Sequence, residues 1–163
     1  MLYGTDAINY LPSVTQPNIS ASINKAPLTV TADSLTTTYT GATQFILNDN
    51  FSVNGLVGGD TKTTLSGVSA SGQGINAGTY STVATGSNLN YNITFVPGTL
   101  TINKANLTVT ANSKSKVYGN SFTLNGTEFS TSGLQNGETA TNVNLAISNN
   151  GNLSNANAGT YSI

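Results

Sequence analysis

The sequence predicts an all-β protein made of tandem sandwich domains, and three observations lead to that prediction. Apolar and polar residues alternate in short stretches such as 28–32 and 107–111, which is the period of a half-buried strand. Glycine and asparagine, which favour turns, separate these stretches. Much of the sequence also occurs twice, so the same small β domain is expected in two copies.

The first complete copy contains six stretches with strand character. We predict strands near residues 27–33, 35–40, 44–53, 62–69, 77–84 and 91–102. Threonine, valine, isoleucine and tyrosine dominate them, as a pleated, half-buried surface favours. Turn signals lie at 54–55, 58–60 and 72–74, where glycine and asparagine tolerate positive φ. Short strands with this punctuation predict an Ig-like β-sandwich in each repeat, with a β-grasp-like repeat as the alternative.

The repeat has a period of about 80 residues. Residues 23–32 and 102–111 are identical at nine of ten positions. The segment Asn-Ala-Gly-Thr-Tyr-Ser at 76–81 returns at 157–162, and the turn Gly-Asp-Thr at 59–61 returns as Gly-Glu-Thr at 137–139. A period of this length holds a whole small domain, so the sequence predicts an array of separate domains and not a thin solenoid.

Residues 1–24 resemble the end of a repeat. Asn9-Tyr10 and Pro17 echo Asn90-Tyr91 and Pro97. The predicted organisation has three parts: 1–24 as terminal strands of a preceding repeat, 25–103 as a complete repeat, and 104–163 as a second repeat without counterparts of its last strands.

A sandwich without an edge strand exposes apolar core and unpaired backbone groups. We therefore expect residues 1–24 of one chain to complete the C-terminal domain of a neighbour, by donor-strand exchange or as one unit of a continuous fibre. An arbitrary boundary is the third interpretation. The residues predicted to take part in assembly are Asn9, Tyr10, Val14, Ile19, Ile23, Tyr161 and Ile163.

The joints between repeats are short. The predicted linker residues are Asn24, Lys25 and Ala26, and their counterparts Asn103, Lys104 and Ala105. The last strand of one domain then leads almost directly into the first strand of the next. Such a joint is stiff compared with a Gly/Ser linker, and an extended rod is expected.

Composition argues against several classes of function. Charged residues make up only 7% of the 163 residues, and five Lys and Arg stand against six Asp and Glu. Nucleic acid is therefore not an expected partner. Histidine and cysteine do not occur, and the carboxylates are scattered singly, so we expect no enzyme, no cofactor and no metal site. No apolar run is long enough for a membrane span.

Five tyrosines recur through the repeats: Tyr39, Tyr80, Tyr91, Tyr118 and Tyr161. Repetition favours a role in packing. Exposed rings at these positions would instead favour stacking on the sugars of a glycan receptor.

Three phrases resemble a known family. Residues 91–111 look like the junction between MBG-type repeats of large bacterial adhesins, which are often similar to filamentous haemagglutinins. Lys-Val-Tyr-Gly-Asn at 116–120 is similar to the family's Tyr-Gly-X signature. Thr-Tyr-Thr-Gly at 38–41 resembles the Tyr-Asp-Gly variant, with Thr40 in place of aspartate.

The resemblance implies an extracellular or cell-surface location and a role as a stalk or adhesive repeat. It brings no catalytic or binding residues with it. We therefore expect a structural, fibre-forming repeat of a bacterial adhesin or filament, whose partners are other copies of itself arranged head to tail. The alternative is an adhesive module that binds a glycan or protein receptor of the host or matrix.

Overall fold

The computed structural model describes Asn9 and residues 20–163, and every regular element in this part of the chain other than short 3₁₀ turns is a β-strand. The first repeat contains nine strands: β1 (Ala26–Ala32), β2 (Leu35–Thr38), β3 (Gln44–Phe45), β4 (Phe51–Asn54), β5 (Val68–Ser71), β6 (Gln73–Gly74), β7 (Gly78–Gly86), β8 (Tyr91–Val96) and β9 (Gly98–Asn103). The second contains β10 (Thr108–Ala111) and β11 (Phe129–Ser132). The all-β prediction is confirmed.

The predicted strands differ from the observed ones in four places. The stretch 72–74, predicted as a turn, contains the short strand β6. The stretch 44–53 holds two short strands, β3 and β4, separated by a turn. The prediction for 62–69 is wrong over most of its length, because Lys62–Thr64 forms a 3₁₀ turn and the strand begins at Val68. The stretch 91–102 is interrupted at Pro97, where the chain passes from one sheet to the other.

Two main sheets form the first repeat. One has the strand order β4-β1-β8 and the other has the order β2-β9-β7-β5, while β3 and β6 make a separate short pair. The pairs β1–β8 and β2–β9 are parallel, and the other pairs are antiparallel. β1 leads into β2, and β8 leads into β9. Each of these two segments therefore passes from the first sheet to the second, and the two crossings lie side by side.

This shared corner is closely packed. Thr82 is fully buried, and its hydroxyl donates a hydrogen bond of 2.9 Å to the Asp33 carbonyl. The Ser34 hydroxyl accepts a bond of 3.0 Å from the Thr99 amide. Gly98 lies so close to the Ala32 carbonyl that a Cβ there would overlap it. The corner therefore requires a glycine for reasons of space.

The core lies between the two sheets. Alternation along β1 turns Leu28, Val30 and Ala32 inward, as the sequence pattern predicts. The first sheet contributes these residues with Phe51 and Tyr91, and the second contributes side chains of β5 and β7 to the same apolar cluster. Leu100 and Ile102 of β9 are also buried. One core thus holds both sheets together.

The second repeat reproduces the start of the first. Thr108 pairs with Ser132 and Ala111 pairs with Phe129, the register in which Thr29 pairs with Asn54 and Ala32 pairs with Phe51. Burial differs between the copies, because Val30 of β1 is fully buried whereas its counterpart Val109 of β10 is 43% exposed.

Candidate functional site: the repeat joint and a strand-sized groove

The two repeats are connected by a short segment, residues 104–107, between the end of β9 and the start of β10. Of the predicted linker residues, Asn103 is the last residue of β9, whereas Lys104 and Ala105 lie in the connection. At the other predicted joint, Ala26 already belongs to β1, and Asn24 and Lys25 precede it. The connection is too short for the repeats to separate widely.

Side chains also join the repeats across the connection. The Tyr39 hydroxyl in the first repeat donates a hydrogen bond to the Glu138 carboxylate in the second. The Asn136 side-chain amide donates a bond of 2.9 Å to the Gly41 carbonyl. Gly41 has φ of 74°, and a Cβ at this position would overlap the Asn136 side chain. The turn that carries Asn136 and Glu138 therefore docks on the segment after β2.

The hydrogen bond to Glu138, with burial and the carboxylate charge acting in the same direction, raises the pKa of Tyr39 above its ordinary value. A neutral hydroxyl can donate to the carboxylate, whereas a tyrosinate would face a like charge.

A cavity of about 290 Å³ lies at the joint. Both repeats line it, with Tyr39, Asn76 and Ala77 from the first repeat and Leu134 and Glu138 from the second. Sequence reasoning found the linker but missed this docking turn. The available signal was the recurrence of an acidic turn, Gly-Asp-Thr at 59–61 and Gly-Glu-Thr at 137–139.

A second and larger feature is a groove of about 600 Å³ in the second repeat. We call it the strand groove. It is lined by residues 111–116, Tyr118, Phe122, Ile147, Gly151 and residues 156–163.

The repeat alignment shows what these walls correspond to. Residues 114–117 are the counterparts of β2, and residues 159–163 are the counterparts of the first half of β7. In the first repeat β9 lies between β2 and β7 and is hydrogen-bonded to both. The strand groove is therefore lined by the sequence counterparts of β2 and β7, the two strands that flank β9 in the first repeat, although neither counterpart forms a strand in the second repeat.

Comparison with protein families matches this duplicated architecture. The model of the MBG domain (YGX type) matches residues 28–101 and again residues 107–163. The chain belongs to the MBG domain family. The same YGX-type model matches both repeats, including the first, whose residues 38–41 resembled the Tyr-Asp-Gly variant. No curated protein and no solved structure gave a match.

The predicted assembly residues fall into three groups in this MBG pair. Tyr161 and Ile163 are half-buried and line the strand groove. Asn9 and Ile23 are exposed, and Ile23 does not line the groove. The predictions for Tyr10, Val14 and Ile19 lie outside the described residues. The structure thus brings Tyr161 and Ile163 together but not Ile23 with them.

Four of the five recurring tyrosines make contacts through their hydroxyl groups. Tyr80 and Tyr161 donate equivalent bonds, of 2.8 Å to the Asn76 carbonyl and 2.9 Å to the Asn157 carbonyl. Tyr39 binds Glu138, and Tyr91 is buried in the core. Tyr118 is 67% exposed and borders the strand groove.

Tyr91 ties the core to the acidic turn of its own repeat. Its hydroxyl donates to the Asp60 carboxylate at 2.7 Å and accepts a bond of 3.1 Å from the Val57 amide. The bond with the Val57 backbone lowers the pKa of Tyr91, but the Asp60 bond, burial and the Asp60 charge outweigh it, so the pKa is raised overall. The corresponding turn of the second repeat binds the preceding repeat instead, through Glu138.

A pair of equivalent turns differs in charge between the MBG repeats. In the first, the Asn50 side chain accepts a bond of 3.1 Å from the Leu47 amide. In the second, the buried Glu128 carboxylate accepts bonds from the Asn125 and Thr127 amides. The Asn125 bond leads the causes that lower the pKa of Glu128, against the opposing effect of burial.

This difference gives a pH prediction. Because the pKa of Glu128 is lower in the folded than in the unfolded chain, its stabilisation is present above the ordinary value of 4.5 and is lost as pH falls through the lowered value. We expect amides near residues 125–129 to lose hydrogen-exchange protection in that window. Those of residues 47–51 should not, since Asn50 does not titrate. The variant Glu128→Gln should show no such loss of protection, because the glutamine side chain does not titrate. Wild-type protection at residues 125–129 that stays constant as pH falls through this window would contradict the prediction.

Within residues 20–163 and at Asn9, no helix has the length and apolarity to cross a membrane. Among the same residues, no three acidic side chains come together in a way that could hold a metal ion.

Proposed function

We propose that the chain is a structural stalk repeat of an extracellular bacterial adhesin or filament, in which consecutive MBG domains are held in a fixed orientation. The docked turn carries the proposal. Repeats that served only as independent binding modules would need a linker, but not a second set of contacts across the joint.

Three properties of the joint support stiffness. The connection at residues 104–107 is short, the Tyr39–Glu138 bond joins side chains of both repeats, and Asn136 bonds to the backbone of Gly41. Each contact alone is weak, because solvent-exposed polar contacts contribute little. Together the two side-chain bonds add attachment points to the covalent connection, and this restricts the relative motion of the repeats.

The surface chemistry fits the same role. The exterior is polar with few charges, and contacts within the molecule occupy most of the recurring tyrosines. We propose a non-enzymatic protein on that basis. We further propose that each complete repeat is a variant of the Ig-like sandwich, with parallel pairing where β1–β2 and β8–β9 turn together.

The proposal is tested by measuring the relative orientation of the repeats. Residual dipolar couplings of the whole chain in a weakly aligning medium should fit one alignment tensor for residues 26–103 and 107–163. The double variant Glu138→Ala/Asn136→Gly removes both side-chain contacts and keeps a residue that tolerates the positive φ of 48° at 136. We expect two different tensors for it.

The matched control is Asp49→Asn, which removes one charge from an exposed turn of the first repeat. It should leave the single tensor intact. Independent alignment of the two repeats in the unmodified chain would overturn the stalk proposal.

The joint should also loosen at alkaline pH. The neutral Tyr39 hydroxyl is favoured in the folded chain, so its contribution is complete below the ordinary tyrosine value of 10.0 and is lost as pH rises through the raised pKa. Small-angle X-ray scattering should then show a broader distribution of maximum dimensions. Tyr39→Phe should show the broader distribution already at neutral pH, with no further change at that step. A wild-type profile that stays constant while Tyr39 titrates would contradict the role of this bond.

A further inference from the structure

The sequence contains four Asn-Gly pairs, which begin at Asn54, Asn125, Asn136 and Asn150. Asparagine is a chemically labile residue, and it is most labile before glycine. Because glycine has no Cβ, its amide nitrogen is unhindered and can attack the side-chain carbonyl carbon of the preceding asparagine. This attack begins deamidation, the conversion of asparagine into an acid. The way the fold holds each pair decides which of them reacts in the native protein.

Three of the four pairs are restrained at the glycine. A backbone carbonyl of β1 lies 2.8 Å from the position that a Cβ on Gly55 would occupy, so this glycine is closely packed. Gly151 is buried, and its amide donates a hydrogen bond of 3.1 Å to the preceding 3₁₀ turn. Gly126 belongs to the loop whose amides bond to the Glu128 carboxylate. These contacts keep the three glycine nitrogens in place.

The pair Asn136-Gly137 is restrained at the asparagine instead. Gly137 is exposed, and a Cβ there would meet nothing within 4 Å. Among the described residues its amide has no hydrogen-bond acceptor. The Asn136 side-chain amide, in contrast, is bonded across the joint to the Gly41 carbonyl at 2.9 Å. The docked joint therefore fixes the carboxamide that must rotate before the Gly137 nitrogen can attack it.

We propose that Asn136 is a deamidation site that becomes reactive when the joint opens, and that the reaction prevents the joint from closing again. The Gly137 nitrogen loses its proton to solvent and bonds to Cγ of Asn136. The bond from Cγ to Nδ2 then breaks, and the nitrogen leaves as ammonia after taking a proton from solvent. Water opens the resulting cyclic imide at one of its two carbonyls and gives aspartate or isoaspartate. The reaction consumes one water and releases one ammonia.

Neither product can restore the contact across the joint. A carboxylate has no N–H to donate, so it would face the Gly41 carbonyl as a second acceptor. It would also place a negative charge two residues before Glu138, whose carboxylate accepts the bond from Tyr39. Isoaspartate further lengthens the main chain of the turn that the Glu138 amide closes on the Gln135 carbonyl at 2.9 Å. The inference deepens the proposed stalk function, on which it rests, by naming a chemical change that ends the fixed orientation.

Peptide mapping by mass spectrometry, during incubation of the whole chain at neutral pH, measures the loss of each asparagine. Tyr39→Phe removes the other bond of the joint and leaves the sequence around Asn136 unchanged. In this variant Asn136 should react about three- to ten-fold faster than in wild type, which is the shift in the docking equilibrium expected from one hydrogen bond. It should also react before the other three pairs. In urea all four pairs should react at similar rates, which gives the unprotected rate.

The matched control is Tyr118→Phe. It makes the same change at the corresponding position of the second repeat, where the ring is 67% exposed. Asn136 should react in this control at the wild-type rate. Equal rates at Asn136 in wild type and Tyr39→Phe would overturn the inference, as would an earlier reaction at any of the other three pairs in Tyr39→Phe.

The effect of the reaction on the joint has its own test. Asn136→Asp carries one of the two products, and its residual dipolar couplings should require two alignment tensors. Asn54→Asp makes the same change at an exposed Asn-Gly pair inside the first repeat and should keep one tensor. A single tensor for Asn136→Asp would overturn the inference that deamidation keeps the joint open.

The tests separate the two proposals. If the repeats of the unmodified chain share one tensor but Asn136 shows no protection, the inference falls and the stalk role stands. If those repeats align independently while Asn136 still reacts before the other three pairs, the stalk role falls and the assignment of the reactive site stands.

Discussion

Gly98→Ala should destabilise the first repeat by about 2–4 kcal/mol, although it adds only one methyl group. A Cβ at this position would overlap the Ala32 carbonyl, and it would lie 2.7 Å from the Thr82 hydroxyl and 2.8 Å from the Asp33 carbonyl. Two of these three neighbours are backbone atoms, which cannot move aside by a rotamer change. They belong to the corner where both parallel strand pairs change sheets, so a shift there displaces β1 and β9 together.

The control is Gly159→Ala, at a glycine with nothing within 4 Å of the added Cβ and no positive φ. It should be neutral or slightly stabilising, because it reduces the freedom of the unfolded chain. Urea titration followed by amide resonances of both repeats measures the change in the free energy of unfolding: residues 26–103 report on Gly98→Ala, and residues 107–163 report on Gly159→Ala. A loss below about 1 kcal/mol for Gly98→Ala would show that the corner is less closely packed than the structure has it.

The sequence predicted the strands best where one side of the strand is buried. The alternation in 28–32 becomes the inward face of β1, with Leu28 and Val30 in the core. Threonine-rich stretches were less reliable. Lys62–Thr64 has a strand-like composition but forms a 3₁₀ turn, where the Lys62 ammonium bonds to the Phe51 carbonyl at 2.6 Å and lies 4.1 Å from the Phe51 ring. That tertiary contact is not visible in a local pattern.

Strand pairing could not be predicted from the sequence, for a different reason. The sequence predicted one strand at 91–102, not that the chain crosses to the other sheet at Pro97 or that β8 and β9 follow β1 and β2 in parallel. Parallel pairs join segments far apart in sequence, and the two pairs have no turn between them to fix their register. The parallel pairing is visible only in the structure, where Thr82 and Gly98 pack at the corner between the two sheets.

The candidate sites divide in the same way. Repetition alone predicted the position of the joint, because it follows from aligning the sequence with itself. The docking of Asn136 and Glu138 could not be predicted, since the equivalent turn of the first repeat uses its carboxylate inside its own domain. The same acidic position of the repeat thus contacts its own domain in the first copy, as Asp60, and the preceding domain in the second copy, as Glu138.

The loss of stability on truncation should differ between two equivalent valines, one in each repeat. Val30→Ala should lower the free energy of unfolding of the first repeat by about 2–3 kcal/mol, since it removes two buried methyl groups and leaves a cavity. Val109→Ala, at the same register position in β10, should cost less than about 1 kcal/mol in the dilute chain, because 43% of that side chain is already exposed. Each variant serves as the matched control of the other. Resonances of the two repeats in one urea titration give both values. Equal costs for both variants would contradict the exposed face of β10.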